Sequence, residues 1–105
     1  IKKGTRMNIL EFKLFLAQSE FIPKEILEIL AKDEDWYVRA FVAESEFTPR
    51  EILELLSKDK DYLVRAFVSK NSNTSIDILE LLTKDENSYV RICAKAIRRY
   101  HLFFE

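Results

Sequence analysis

The chain has 105 residues, with 17 Lys and Arg against 18 Asp and Glu, and it contains one residue each of Gly, Cys, His, Trp and Met. This length supports one small domain with one modest core. The shortage of Gly, Cys and His excludes glycine-rich phosphate loops, internal disulfides, and zinc or iron–sulfur sites with four Cys or His ligands. No cofactor and no metal are therefore expected.

An internal repeat with a step of 26 residues organises most of the chain. The segment PKEILEIL from Pro23 recurs as PREILELL from Pro49 and as SIDILELL from Ser75. Two further markers keep this step, namely Lys-Asp at 32–33, 58–59 and 84–85, and Val-Arg at 38–39, 64–65 and 90–91. We therefore divide a single domain of residues 7–105 into an N-terminal cap half-repeat, three repeats and a C-terminal end, at 7–22, 23–48, 49–74, 75–100 and 101–105. Residues 1–6 are interpreted as a tag or a disordered terminus.

Each repeat is expected to form two short helices. The first helix of the middle repeat carries a wide apolar stripe at helical spacing, formed by Ile52, Leu53, Leu55 and Leu56. Thr48 is expected to be the N-cap of this helix, in a capping box with Glu51. The second helix has its buried face at Val64, Phe67 and Val68. Because one such unit cannot bury both faces alone, about four units should stack as an all-α solenoid some 40 Å long.

The repeat resembles a known family. The segment VRAFV from Val64, Thr-Pro at 48–49 ahead of an Ile/Leu helix, and Lys-Asp ahead of the next Val-Arg are similar to the leucine-rich repeat variant family, a relative of the HEAT-like solenoids. The resemblance covers roughly residues 14–92. It implies α-helices alternating with short 3₁₀-like helices in a superhelix, with a general role in molecular interactions. The chain departs from the family pattern at 45–46 and 72–73, where Asn-Pro is absent, and Cys93 alone cannot supply the cysteine cluster of some members.

Arginines and aromatic residues recur together near the start of each second helix. They are the candidate partner-binding residues, namely Trp36, Tyr37, Arg39, Tyr62, Arg65, Tyr89 and Arg91. Aromatic residues beside arginines are typical of binding hot spots, and Trp36 is the expected exposed anchor. A structural interpretation stays open for both residue types. The arginines can pair with an acid one helical turn earlier, as Asp35 with Arg39 and Asp61 with Arg65, and the aromatic residues can pack at the helix starts.

The remaining candidates for chemistry are acids, one thiol and one imidazole. Asp33, Asp59 and Asp85 recur at the repeat step and are interpreted as caps, since neighbouring layers place them about 10 Å apart, too far to share a metal. Cys93 and His101 are the only Cys and His. On one helix they would lie about 12 Å apart, which is too far for nucleophilic catalysis. We therefore expect no enzyme, with Cys93 in the core and His101 on the surface.

Charge and the chain end give the last indications. Between Glu20 and Asp61 there are 12 acids and 6 bases, which argues against nucleic-acid binding by the middle of the chain. Near the C-terminus a dense apolar group is expected to fold back as a cap, or alternatively to meet another subunit, and it consists of Tyr100, Leu102, Phe103 and Phe104. No signal peptide or transmembrane run is recognised, so a cytoplasmic location without membrane contact is expected.

The leading functional prediction is a non-catalytic module that binds a protein or a peptide, as a monomer or a weak homo-oligomer. Two alternatives stay open. Some HEAT-like solenoids resemble DNA glycosylases, which would make the chain a nucleic-acid-binding protein. The chain could also be a fragment of a longer repeat scaffold.

Overall fold

The computed structural model describes residues 7–104, without the side chain of Phe104. Over this range the chain is entirely helical and has no strand, which confirms the all-α prediction for the described residues. The helices are α1 (Ile9–Ala17), α2 (Lys24–Leu30), α3 (Trp36–Glu44), α4 (Arg50–Leu56), α5 (Tyr62–Lys70), α6 (Ile76–Leu82) and α7 (Ser88–Phe104). None of these helices is long and apolar enough to cross a membrane.

The short helices α2, α4 and α6 have seven residues each and begin at residues 24, 50 and 76. They are α-helices and not the 3₁₀-like helices that the family resemblance implies. The reason is that bonds to the carbonyl four residues back do form, as from the Leu27 N–H to the Pro23 oxygen at 3.3 Å. In α4 the predicted stripe is buried at Ile52, Leu53 and Leu56, whereas Leu55 is exposed.

The capping box predicted at the start of α4 is wrong. Pro49 occupies the N-cap position of this helix and makes no side-chain cap bond. The buried hydroxyl of Thr48 donates instead to the Val42 carbonyl, in the last turn of α3, at 2.6 Å. Thr74 makes the equivalent bond to the Val68 carbonyl at 2.6 Å. Because a helix leaves its last carbonyls without intrahelical partners, these hydroxyls fasten the ends of α3 and α5 to the loops that follow them.

The four longer helices form a row. α1, α3, α5 and α7 pack in that order, each against the next, and the short helices pack beside them. The centre of the core is made of fully buried valines at the contacts of this row, namely Val38, Val42, Val64, Val68 and Val90. The molecule is elongated, with extents of 53 × 25 × 22 Å. The first turns of α3, α5 and α7 consequently follow one another along one edge.

The C-terminal apolar group does not fold back. α7 continues without a break to Phe104, because no Gly or Pro interrupts its sequence. Tyr100, Leu102 and Phe103 are exposed on this helix, so the predicted cap is wrong for these side chains. The side chain of Phe104 and the interpretation of residues 1–6 lie outside the described part of the chain.

Candidate binding surface

Two of the recurring arginines bind aspartates of the next unit in a bidentate geometry. Arg39 on α3 contacts Asp59, with Nε–Oδ2 at 2.7 Å and Nη2–Oδ1 at 3.1 Å. Arg65 on α5 contacts Asp85 in the same way, at 2.8 Å and 3.0 Å. In both pairs the acid lies 20 positions after the arginine, in the loop before the next long helix. Both arginines are buried, so each pair links two neighbouring helices of the row.

The partner predicted for these arginines is therefore wrong. Asp35 and Asp61, one helical turn before Arg39 and Arg65, are the N-caps of α3 and α5, and each accepts a hydrogen bond from the backbone N–H two residues later. An Asp that accepts this bond is committed to the helix start. The structural interpretation of Arg39 and Arg65 is favoured over a binding role, since their guanidinium groups are already occupied.

The aspartates at 33, 59 and 85 cap loops and not helices. One carboxylate oxygen of each accepts the backbone N–H two residues later, at 2.8–2.9 Å, while the other side of the carboxylate binds a cation. At the first of the three, the cation is Lys13 on α1, with Nζ–Oδ2 at 2.7 Å from Asp33. Among the described residues, no group of three or more His, Cys, Asp or Glu is placed to hold a metal ion.

The ionisation of these pairs is biased towards the charged forms. Burial is the largest single influence on Asp85 and raises its pKa, but the hydrogen bonds from Arg65 and from the Asn87 N–H together hold the pKa below the ordinary 3.8. The pKa of Asp33 is lowered by the same balance, with Lys13 as the donor. The hydrogen bond to Asp85 raises the pKa of Arg65 against the effect of burial. The Asp33 and Asp85 carboxylates are thus ionised at neutral pH.

The exposed members of the predicted site are its aromatic residues. Trp36, Tyr37, Tyr62 and Tyr89 are each between 39% and 44% exposed and stand on the first turns of α3, α5 and α7. We call these four residues the aromatic edge. The rings of Trp36 and Tyr37 meet edge to face at 5.2 Å between centroids, and those of Tyr62 and Tyr89 meet edge to face at 6.3 Å across two helices. Each ring therefore combines an apolar face with exposure to solvent.

Neighbouring side chains hold the aromatic edge in place. Tyr37 packs against Phe41, with centroids 5.3 Å apart. Lys70 at the end of α5 places its Nζ 5.5 Å from the ring centroids of both Phe67 and Tyr89, and it donates a hydrogen bond to the Tyr89 hydroxyl at 3.3 Å. Such cation–π contacts favour one ring orientation. Sequence reasoning missed Lys70, because no spacing rule connects it to Tyr89.

A groove of about 370 Å³ lies next to the buried pair of Arg39 and Asp59. It runs between the loops that precede α3 and α5, and three exposed lysines line it, namely Lys32, Lys58 and Lys60. In the sequence, the Lys-Asp pairs served only as markers of the repeat. The recurrence of Lys-Asp in the sequence could have predicted that each of these loops carries a lysine next to an acid.

The last recurring arginine, Arg91, differs from the other two. Arg91 is half-buried. Its Nη1 donates hydrogen bonds to the Asp85 carbonyl at 2.7 Å and to the Glu86 carbonyl at 3.0 Å. Within residues 7–104 Arg91 forms no ion pair.

Cys93 on the same helix is half-buried and packs against the core, and His101 is half-buried near the helix end. The structure therefore leaves the four aromatic residues exposed and buries two of the three arginines, Arg39 and Arg65.

Comparisons of the chain with protein families, with curated proteins and with solved structures find no match.

Proposed function

We propose that the chain is a short α-solenoid of the leucine-rich-repeat-variant type and that it is a non-catalytic module that binds a protein or a peptide. The solenoid is supported by the starts of α2, α4 and α6, which follow the 26-residue step of the sequence repeat. The packing order of the longer helices also supports it, as do the equivalent links of Arg39 to Asp59 and of Arg65 to Asp85. Units that contact mainly their neighbours are typical of solenoids.

The observation that carries the binding function is the aromatic edge. Trp and Tyr dominate binding energy at protein interfaces, because they contribute large contact areas and have few rotatable bonds. Here the side chains protrude from first turns that buried ion pairs hold in register. Binding to such a surface requires little further ordering of the surface itself.

Nucleic-acid binding has less support than protein binding. Phosphate contacts require cations that are free to exchange counterions, and the guanidinium groups of Arg39 and Arg65 are occupied by Asp59 and Asp85. The lysines of the groove also alternate with exposed or half-buried acids such as Glu34. The site consequently has no continuous basic face.

The test is a selection of random linear peptides, displayed on phage, against the immobilised full chain. Selected peptides are then measured on the double variant Trp36→Ser/Tyr62→Ser and on the control Phe21→Ser. Phe21 is an exposed aromatic residue after α1, at the opposite end of the long helices. We expect the double variant to weaken binding at least about tenfold, as for the loss of hot-spot residues, and the control to bind as the parent does.

Two results would overturn the proposal. One is that peptides selected on the parent bind the Trp36→Ser/Tyr62→Ser variant equally well. The other is that a DNA duplex or single strand shifts the full chain in a gel with tight, steeply salt-dependent binding, which would favour the nucleic-acid alternative. Circular dichroism of all variants confirms that a loss of binding is not a loss of folding.

A further inference from the structure

Arg91 is held in the same orientation as the two arginines that bind aspartate. In Arg39, Arg65 and Arg91, the Nη1 atom donates to the backbone carbonyl six positions earlier, and the distance is 2.7 Å in each case. This bond fixes the guanidinium plane, because the group is rigid and its donors have a fixed geometry. The protein thus contains two occupied examples of the arrangement around Arg91.

The side of Arg91 that would receive a carboxylate is empty. In Arg39 and Arg65 the Nε and Nη2 atoms bind Asp59 and Asp85, whereas the same atoms of Arg91 have no partner within residues 7–104. No buried side-chain nitrogen or oxygen in that range lacks a hydrogen bond. The Nε and Nη2 atoms of Arg91 therefore face solvent.

The surface around Arg91 is apolar and basic. Ile92 takes the repeat position of Ala66 but is 64% exposed where Ala66 is 2% exposed, since among residues 7–104 no further helix packs on this side of α7. Lys95 takes the position of the buried Ser69 and is exposed. Arg99, two turns along from Ile92, is also exposed. The larger side chains of Ile92 and Lys95 do not permit the close packing that Ala66 and Ser69 allow, so the surface does not fit another copy of the same helix.

We propose that this end surface, formed by Arg91, Ile92, Lys95 and Arg99, binds an acidic polypeptide segment that presents an aspartate after a short helix. The carboxylate would accept two hydrogen bonds from Nε and Nη2 of Arg91, as in the two internal pairs. An aliphatic side chain would cover Ile92, and further acids would face Lys95 and Arg99. This surface is separate from the aromatic edge, so the inference does not rest on the proposed function.

The surroundings of Arg91 favour a carboxylate over a phosphate. The Nη1 side of the guanidinium already faces the carbonyls of Asp85 and Glu86, and the Asp85 carboxylate interacts electrostatically with Arg91. A dianion placed at Nε and Nη2 of Arg91 would be repelled by the Asp85 carboxylate more strongly than a monoanion would. Both occupied examples in the protein also hold a carboxylate.

The experiment supplies a suitable segment at high local concentration. A second copy of residues 75–88, which contains the helix and Asp85 that cover Arg65 in the protein, is fused to the C-terminus of the full chain. A flexible Gly/Ser linker spans the length of α7, about 25 Å at 1.5 Å per residue, and gives an effective concentration in the millimolar range. A matched fusion carries Asp85→Asn in the added copy only. The readout is the solvent exchange rate of each arginine Nε proton by NMR, with Arg39 and Arg65 as internal references.

We expect the aspartate fusion to slow exchange of the Arg91 Nε proton at least about tenfold relative to the asparagine fusion, as for a charge-assisted bond. The Arg39 and Arg65 protons should not change, which shows that the parent fold is intact. The inference is overturned if the two fusions give the same Arg91 rate, whether slow or fast. It is also overturned if inorganic phosphate slows the Arg91 proton of the unfused chain and the aspartate fusion does not. Peptide binding at the aromatic edge is unaffected by any of these results.

Discussion

Replacing Asp59 by asparagine removes one charge from the more deeply buried of the two bidentate ion pairs without changing the shape of the side chain. In the parent, Arg39 donates to both carboxylate oxygens of Asp59, and one of these oxygens also accepts the Asp61 N–H at 2.9 Å. In Asp59→Asn the oxygen can keep the bond from Asp61. The amide nitrogen must then face the Nε–H of Arg39, and two donors would meet.

The expected cost follows from the burial of the pair. The side chains of Arg39 and Asp59 are only 6% and 8% exposed, so the arginine would keep its charge without an ionic partner and almost without water. Breaking a buried pair in this way costs about 3–5 kcal/mol. For a domain of this size, that cost lowers the melting temperature by roughly 12–40 °C. It is also a large part of the total free energy of unfolding of a typical domain, about 5–15 kcal/mol.

The control variant is Asp61→Asn, which makes the same chemical change two residues away. Asp61 caps α5 by accepting the Leu63 N–H at 2.8 Å, and asparagine is as good an N-cap as aspartate. We expect this variant to lose less than about 1 kcal/mol. Both variants are compared with the parent by urea unfolding, followed by far-UV circular dichroism at low temperature so that a destabilised variant still has a folded baseline.

The ranking of the two variants decides the assignment of the arginine partners. If Asp61→Asn costs as much as Asp59→Asn, the arginines pair within their own helices, and the links between units described above are wrong. If neither variant changes the free energy of unfolding, the ion pairs contribute nothing to stability. A further variant, Arg39→Met combined with Asp59→Leu, should recover only part of the loss. It leaves no buried charge, but it also removes the hydrogen bonds to the Asp61 N–H and to the Asp33 carbonyl.

Three further predictions concern stability. Leu53→Ala should cost about 2–5 kcal/mol because the side chain is fully buried, and the exposed Leu55→Ala is the control; equal melting temperatures would contradict the assigned core. Asn71→Ala should cost about 1–3 kcal/mol because it removes two buried hydrogen bonds, to the carbonyls of Ala43 and Ser45, whereas the exposed Ser72→Ala should be neutral in urea titrations. The pKa of Asp85 is lower in the folded protein than the ordinary 3.8. As the pH falls, the Asp85 carboxylate is therefore protonated in the unfolded chain before it is protonated in the folded protein. Stability should therefore fall as the pH decreases below about 4, with a shallower fall in Asp85→Asn, and an identical slope in the two proteins would refute the assignment.

Helix content and most buried positions could be predicted from the sequence, because they follow from local periodicity. The partner of Arg39 could not be predicted in this way. Helical spacing predicts Asp35, four residues earlier, as the partner of Arg39. The acid that Arg39 contacts in the structure, Asp59, lies twenty residues later, so the choice of partner depends on how neighbouring repeats pack. The same spacing between Lys13 and Asp33 indicates that the link begins in the first helix.

The hydrogen bond of the Thr48 side chain could not be predicted from neighbouring residues either. Its position before Pro49 and Glu51 satisfies the rule for a capping box, yet its hydroxyl bonds backwards to Val42. The rule for a capping box considers only the helix that follows, and it omits the carbonyls in the last turn of the preceding helix, which can accept a further hydrogen bond. The exposure of Trp36 agreed with expectation, because no apolar position of the repeat requires its burial.

The replacement of arginine by Lys13 at the first link has a kinetic consequence. A lysine makes one point contact with Asp33 at 2.7 Å, whereas the two following links are forks with two bonds each. The Lys13 side chain is also 35% exposed, so water weakens this contact most. α1 should therefore detach before the other long helices do. The amide protons of α1 should exchange with solvent through partial unfolding, whereas those of α5 should exchange only through global unfolding.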